Sequence, residues 1–271
     1  MSTPPLHEPL VILDGRDVGP TILALDCGTV AIHSRVCPGK EGPNEDALAV
    51  LTCSDGRAVL VVADGFGGHP AGDQAARLAV ETMRDAVALC ADTRGDLRDA
   101  ILDGFEAANR AVTALGVGAA NTLAVAEFDN GVVRPYHVGD SEIMIVGQRG
   151  KLKLQTVSHS PVGYAVEAGL IDRDDAMHHD ERNIVSNMVG SPQMRIEVGP
   201  RVALRPRDTL ILATDGLFDN LGVPEIVELI RKGPLETACT QLRDACRDRM
   251  LNPQPDQPSK PDDTALVLFR R

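Results

Sequence analysis

Aspartate residues stand at the ends of several apolar segments of this chain. The segment "AVLVVADG" delivers Asp64 and "TLILATDG" delivers Asp215, each followed by glycine. Asp140 follows a third apolar segment, whereas Asp46 precedes "ALAVLT" and the Asp262–Asp263 pair precedes "TALVLF". If strands that end in Asp run antiparallel to strands that begin with Asp, these carboxylates meet at one edge of a sheet.

Carboxylates at close quarters carry a chemical implication. They repel one another, and the cluster is destabilising unless cations neutralise it. Oxygen ligands without nearby His or Cys select Mg²⁺ or Mn²⁺ rather than zinc. A single Asp-Gly after a strand has a structural alternative, because Asp is common in turns. The repeated placement nevertheless predicts a carboxylate site for more than one divalent metal ion.

The pattern of apolar residues indicates the elements that position these side chains. Helices are predicted at 72–90, 96–115, 224–232 and 235–250, from apolar spacings of three and four residues and from Pro224 at a helix start. Continuous apolar runs predict strands at 21–26, 30–36, 46–52, 58–63, 121–128, 132–138, 142–146, 152–157, 209–213 and 264–269. Clustered strands separated by helices favour an α+β fold with antiparallel sheets. The Pro-rich segment 252–261 is expected to be a surface loop.

Composition excludes several classes of function. A net charge of −12 argues against a nucleic-acid partner, because phosphate backbones select basic surfaces. No apolar run approaches the roughly 18–20 residues that cross a bilayer, and the N-terminus lacks a secretory pattern. The six cysteines show no C-x-x-C spacing and are expected to be reduced thiols. We therefore expect a cytoplasmic protein without a membrane or nucleic-acid partner.

Five motifs together resemble a known family. They are "NEDA" at 44–47, "DGFGGH" at 64–69, "GDS" at 139–141, "ATDGLFDNL" at 213–221 and "PDDTALV" at 261–267. Their order resembles that of the metal-dependent type 2C protein serine/threonine phosphatases, in the manner of a bacterial member. Residues 158–190 also look like the flap of that family. The resemblance predicts an N-terminal extension at 1–19 and a catalytic domain at 20–271.

The resemblance implies an αββα four-layer sandwich, with two antiparallel central sheets flanked by helices and the metals in a cleft at one end. It implies two Mn²⁺ or Mg²⁺ ions per chain, and a third in some similar proteins. The positions that match metal ligands of the family are Asp64, Gly65, Asp215, Asp262, Glu45, Asp46, Asp140 and Asp219. Asp64 would bridge two metals, and the Gly65 carbonyl would ligate the first. Asp215 and Asp262 would hold the second.

The remaining matches have lesser roles in the family pattern. Glu45 would act through water, and Asp46 would lie at the edge of the site. Asp140 and Asp219 match positions of the third metal.

The implied reaction is hydrolysis of phosphoserine and phosphothreonine in proteins. Two divalent ions that share a water lower its pKa from about 16 to roughly 7, so that hydroxide can attack phosphorus in line. Asp64, Asp215 and Asp262 are the implied catalytic residues. The implied partners are a phosphorylated protein substrate and a cognate serine/threonine kinase. None of the cysteines stands in the C-x5-R loop of a cysteine-dependent phosphatase.

This chain departs from the family at several positions. The arginine expected four residues before the "ED" pair, where it binds phosphate, is replaced by Glu41, and Lys40 beside it becomes the candidate phosphate contact. Glu142 stands where an arginine is expected, and Phe66 stands where animal members have a histidine. We expect His69 to be structural and the His178–His179 pair to be solvated.

Two other functions remain open at this point. The first is a pseudophosphatase that binds phosphoproteins, which the missing arginine favours and the complete carboxylate set opposes. The second is a dinucleotide-binding enzyme, suggested by the glycine turn at 65–72. That turn lacks the third glycine of the dinucleotide fingerprint, and Asp64 would face the pyrophosphate.

Overall fold

Two antiparallel β-sheets form the centre of the fold. The computed structural model describes residues 6, 8–53, 55–66, 71–93 and 95–271. The first sheet contains β1 (Leu10–Ile12), β4 (Asp46–Thr52), β5 (Ala58–Gly65), β6 (Asn121–Asp129) and β7 (Val132–Val138), with the short β10 (Glu197–Val198) and β11 (Val202–Ala203) both paired with β7. The second contains, in spatial order, β2 (Asp17–Leu25), β3 (Gly28–Arg35), β13 (Thr264–Arg270), β12 (Thr209–Ala213), β8 (Glu142–Val146) and β9 (Leu152–Gln155).

Helices cover both outer faces of the sheets. The helices of the described residues are α1 (Gly72–Thr93), α2 (Leu97–Thr113), α3 (Pro161–Glu167), α4 (Arg173–Ala176), α5 (Asp215–Phe218), α6 (Val223–Ile230) and α7 (Leu235–Leu251), of which α1 and α2 pack on one sheet and α6 and α7 on the other. The Asp96 side chain caps α2 by accepting from Arg98 N, and Ser160 caps α3 by accepting from Gly163 N.

Three buried apolar layers hold these elements together. The first, which includes Met83 and Phe105, packs α1 and α2 against the first sheet. The second, which includes Leu60 and Phe269, fills the space between the two sheets. The third, which includes Leu242, packs α6 and α7 against the second sheet. This order of layers confirms the predicted αββα sandwich.

The predicted strands and long helices are all present, and most differences are at their ends. The bounds of β4, β7, β8 and β12 agree with prediction, whereas β2 begins four residues earlier, at Asp17. The short elements β1, β10, β11, α3, α4 and α5 were not predicted, because a segment of two to seven residues shows no clear hydrophobic period. Residues 252–261 form the predicted loop.

The N-terminal segment takes part in both sheets. Leu10–Ile12 pair with β4, and the strand that begins at Asp17 pairs with β3. The boundary between an extension and a catalytic domain at residue 20 stays a prediction. Among the described residues, none of the helices combines the length and apolar composition that a membrane crossing requires.

Candidate metal centre

The antiparallel pair β4–β5 places two carboxylates side by side. Asp46 lies directly opposite Asp64 in the register of the two strands. Like charges in such a cross-strand pair are destabilising. Thr214, from the end of β12 in the other sheet, donates through Oγ1 to Asp46 Oδ2 at 2.7 Å. The site therefore forms where the edges of both sheets meet.

Glycine is required after Asp64 and after Asp215 because another backbone segment approaches closely at both places. A Cβ on Gly65 would lie 2.1 Å from the carbonyl oxygen of Gly72, at the start of α1. A Cβ on Gly216 would lie 1.8 Å from the carbonyl oxygen of Asp263. Each Asp-Gly pair therefore allows the chain to turn sharply while its carboxylate stays at the sheet edge. Gly67, Gly68 and His69 lie outside the described residues.

The second sheet supplies the other aspartates. Asp215 begins α5 directly after β12, and Asp219 follows one helical turn later. Because β12 and β13 are antiparallel, Asp262 arrives beside Asp215 from the start of β13. Asp140 lies in the turn between β7 and β8 and is buried, and its Oδ1 has no hydrogen-bond partner among the described residues. The predicted convergence of carboxylates is thus observed, while their roles as metal ligands stay a prediction.

Lys260 lies among these carboxylates, and sequence reasoning missed it. Its Nζ is 2.5 Å from Asp215 Oδ2, 2.9 Å from Asp219 Oδ2 and 3.1 Å from Asp262 Oδ2. These carboxylates raise the pKa of Lys260 above its ordinary value, although burial opposes its charge. The only signal in the sequence is a lysine two residues before the Asp262–Asp263 pair.

Burial and mutual repulsion govern the ionisation of the cluster. Burial raises the pKa of Asp46, Asp64 and Asp140 well above the ordinary range of a carboxyl, and repulsion from neighbouring aspartates adds to the effect. Burial, followed by repulsion from Asp215, also raises the pKa of Asp219 and of Asp262 to about 6.

This chemistry fits divalent cations. The donors are carboxylate oxygens, one of them a buried oxygen of Asp140 without a hydrogen-bond partner among the described residues. The two lysines that contact them, Lys40 and Lys260, are fewer than these carboxylates. Hard cations such as Mg²⁺ and Mn²⁺ prefer such oxygen ligands.

Lys40 faces the acidic edge, whereas Glu41 faces solvent. Lys40 Nζ lies 2.6 Å from Glu45 Oε2 and 2.7 Å from Asp263 Oδ2. Asp263, only 2% exposed, also accepts from the backbone nitrogens of Cys37 and Glu45 at 2.7 Å each. Glu41 is exposed. The loop that carries both residues thus turns the lysine, and not the glutamate, towards the site.

A cavity of about 140 Å³ adjoins the cluster beneath the predicted flap. Asp219 forms part of its wall, together with Glu142 and apolar residues such as Met177 and Phe218. Glu142 accepts from Gln155 Nε2 at 2.6 Å, and burial raises its pKa to about 7. The glutamate that replaces the expected arginine therefore lines a pocket beside the carboxylates.

A second group of possible ligands consists of His137, His159 and Glu197, whose ligand atoms lie within 4.8 Å of one another. His159 Nδ1 accepts from the backbone nitrogen of Gly139 at 3.0 Å, so the proton of the neutral ring is on Nε2, 3.1 Å from Glu197 Oε2. With its Nε2 protonated, His159 cannot ligate a metal at the face towards Glu197. We assign this group to a structural role at the base of the flap. Of the pair expected to be solvated, His178 is exposed and His179 is half-buried.

Comparison with known proteins agrees with this geometry. A family model described as protein phosphatase 2C matches residues 37–244. The protein phosphatase PhpP of Streptococcus pneumoniae is 31% identical over 202 residues, which cover 70% of this chain and 80% of that protein.

Two solved structures are similar in fold. The S. agalactiae serine/threonine phosphatase has a TM-score of 0.74 at 24% identity, covering 89% of this chain and 98% of that one. The catalytic domain of the serine/threonine protein phosphatase PstP, in complex with 2 manganese ions, has a TM-score of 0.70 at 23% identity, covering 89% of this chain and 96% of that one. On the matches to its sequence and on this shared fold, the chain belongs to the protein phosphatase 2C family.

Proposed function

We propose that this protein hydrolyses phosphoserine and phosphothreonine in protein substrates with Mn²⁺ or Mg²⁺ held in the carboxylate cluster. The observation that carries the proposal is the convergence of the aspartates from both sheets at one edge of the sandwich. The complete set of carboxylates argues against a pseudophosphatase. A phosphoprotein is the substrate partner, and a serine/threonine kinase is required to phosphorylate it.

The metal-binding roles are carried over from the family resemblance. Asp64, the Gly65 carbonyl, Asp215 and Asp262 would hold a pair of ions, with Glu45 and Asp46 at its edge. Asp140 and Asp219 would serve a third position. When bound, the ions supply a water of lowered pKa and positive charge that stabilises the phosphoryl oxygens.

The chain's own residues orient the substrate and the ligands. Thr214 fixes the Asp46 carboxylate through its hydrogen bond. Lys40, at the rim, offers an ammonium group to a phosphate oxygen. The cavity beneath the flap accommodates substrate groups next to the phosphorylated residue, because Asp219 lies in its wall.

The cysteines do not supply an alternative nucleophile. Burial raises the pKa of Cys27 and Cys53 to about 11 and of Cys239 and Cys246 to about 12, and it also raises the pKa of Cys37 and Cys90 above the ordinary value of a thiol. These groups are therefore protonated thiols at neutral pH. A protonated thiol is a poor nucleophile. Hydrolysis through a phosphocysteine is therefore disfavoured.

A metal-dependence assay tests the proposal. Hydrolysis of an aryl phosphate and of a phosphothreonine peptide should require Mn²⁺ or Mg²⁺ and stop with EDTA. Asp64→Asn should lose several orders of magnitude in kcat while keeping the parent's circular dichroism, because it removes a carboxylate that would hold both ions. The exposed helical Asp103→Asn is the matched control and should keep parental activity. Undiminished turnover in EDTA-treated protein would contradict the proposed function.

A further inference from the structure

We infer that Lys260 is an internal cation that takes the place of the third metal ion, so that the loaded protein binds two divalent ions and not three. Because Lys260 contacts the proposed metal ligands, this role rests on the proposed function. It concerns a residue that no motif of the family resemblance includes.

The ammonium group contacts Asp219, which the third position would use, as well as two carboxylates that the pair of ions would use. Its distances to Asp215 Oδ2 and Asp219 Oδ2 are 2.5 and 2.9 Å, against 3.1 Å to Asp262 Oδ2. Asp215 begins α5 and Asp219 caps its C-terminus, one helical turn later, so a single cation can contact both carboxylates. Lys260 therefore holds the Asp219 carboxylate that a third metal ion would need.

The lysine backbone is fixed in a way that delivers its side chain to this position. Asn220, which is buried, accepts from Lys260 N at 2.9 Å and donates to Lys260 O at 2.8 Å. The same Asn220 amide donates to Gly216 O at 2.9 Å. Arg249, on α7, donates to Asn220 O at 2.9 Å, and Ser259 Oγ donates to Arg249 O at 3.0 Å. These bonds tie the loop to α5 and α7 beside the cluster.

The pair of ions keeps a proposed ligand that Lys260 does not contact. The shortest contact of Lys260 with each of its three carboxylates is to the Oδ2 atom. Asp64, the proposed shared ligand of the pair, forms no ion pair with Lys260 among the described residues. A divalent ion at Asp219 would face a positive charge bound to the same carboxylate, which opposes its binding. Replacing the ammonium group by a neutral side chain of similar length should open that position.

Mn²⁺ titration of the full-length protein tests this role. Calorimetry, together with the electron paramagnetic resonance signal of free Mn²⁺, should count two bound ions in the parent. Lys260→Met should bind one more ion than the parent does. The Kd of that ion should be at least tenfold lower than the Kd of any third ion that the parent binds. Lys260→Arg, which keeps the charge, should stay at two, and so should Lys153→Met, which removes a lysine paired with Asp208.

A double variant assigns the added ion. Lys260→Met combined with Asp219→Asn should return to two ions, and circular dichroism should show that each variant is folded. Equal numbers and affinities in the parent and Lys260→Met would overturn the role of Lys260 and leave the proposed function intact. Three ions in the parent, or lost binding in Lys260→Met, would also overturn it. No Mn²⁺ binding by the parent would instead overturn the proposed metal centre itself.

Discussion

At the scale of single residues, Lys40 faces the site at the place where the family has a phosphate-binding arginine and this chain has Glu41. Lys40 Nζ is held between Glu45 and Asp263, while Glu41 is exposed. Arginine grips phosphate with two parallel donors, whereas lysine offers a point charge. Phosphate must also compete with two carboxylates for the Lys40 ammonium group. We therefore expect weak ground-state binding of small phosphate esters.

Removing Lys40 should weaken substrate binding further. Lys40→Met should raise the KM for an aryl phosphate by on the order of tenfold, because one charged hydrogen bond of roughly 1.5 kcal/mol is lost, and should change kcat less. Steady-state kinetics in saturating Mn²⁺ measure both constants. Glu41→Gln is the matched control, and its KM should stay within about twofold of the parent's. Parental KM in Lys40→Met would show that phosphate is held elsewhere.

At the scale of elements, the sequence allowed the strands and long helices to be predicted because their apolar patterns are local. The strands β4, β7, β8 and β12 agree with prediction to the residue. The direction of each strand then brought Asp46, Asp64 and Asp215 to one edge. The short α5 was missed because its four residues give no period.

Contacts between distant segments account for what could not be predicted at the site. Lys260 approaches Asp215 across 45 positions of sequence, and Thr214 reaches Asp46 across 168. A lysine in a Pro-rich segment is typical of a surface loop, and the bonds to Asn220 help to turn it inward. Packing of whole elements decides such contacts, and no local pattern encodes them.

Asp263 provides a test of how the loop at residues 37–45 is held. Its side chain accepts from Cys37 N, Glu45 N and Lys40 Nζ. Asp263→Ala should lower the free energy of unfolding of the metal-free protein by about 2–4 kcal/mol, because backbone donors lose their acceptors. Asp263→Asn removes the same charge but keeps one acceptor oxygen, and should lose less than half as much.

Urea denaturation of both Asp263 variants in EDTA measures these differences. The exposed loop variant Asp256→Ala serves as the control and should stay within about 0.5 kcal/mol of the parent. Equal losses in Asp263→Ala and Asp263→Asn would mean that charge, and not hydrogen bonding, accounts for the effect of Asp263.

At the scale of the whole molecule, the carboxylate cluster joins the two sheets of the sandwich. Asp46 and Asp64 come from the first sheet, whereas Asp215 and Asp262 flank strands of the second. Their burial and repulsion destabilise the metal-free fold, and cations bound between them would connect both sheets. Metal binding should therefore stabilise the entire domain as well as support hydrolysis.

Thermal unfolding should reveal this coupling through opposite effects of one substitution. Mn²⁺ at about 100 times its Kd stabilises the folded protein by roughly 2.7 kcal/mol for each site that it fills, which raises Tm by at least about 5 °C. Asp64→Asn should raise the Tm of the EDTA-treated protein above the parent's, because the repulsion with Asp46 is relieved. The same variant should lose most of the rise that Mn²⁺ gives the parent. Asp103→Asn, exposed on α2, should follow the parent in both conditions. A lower Tm for Asp64→Asn in EDTA would show that the aspartate stabilises the metal-free fold, contrary to the repulsion inferred from its position.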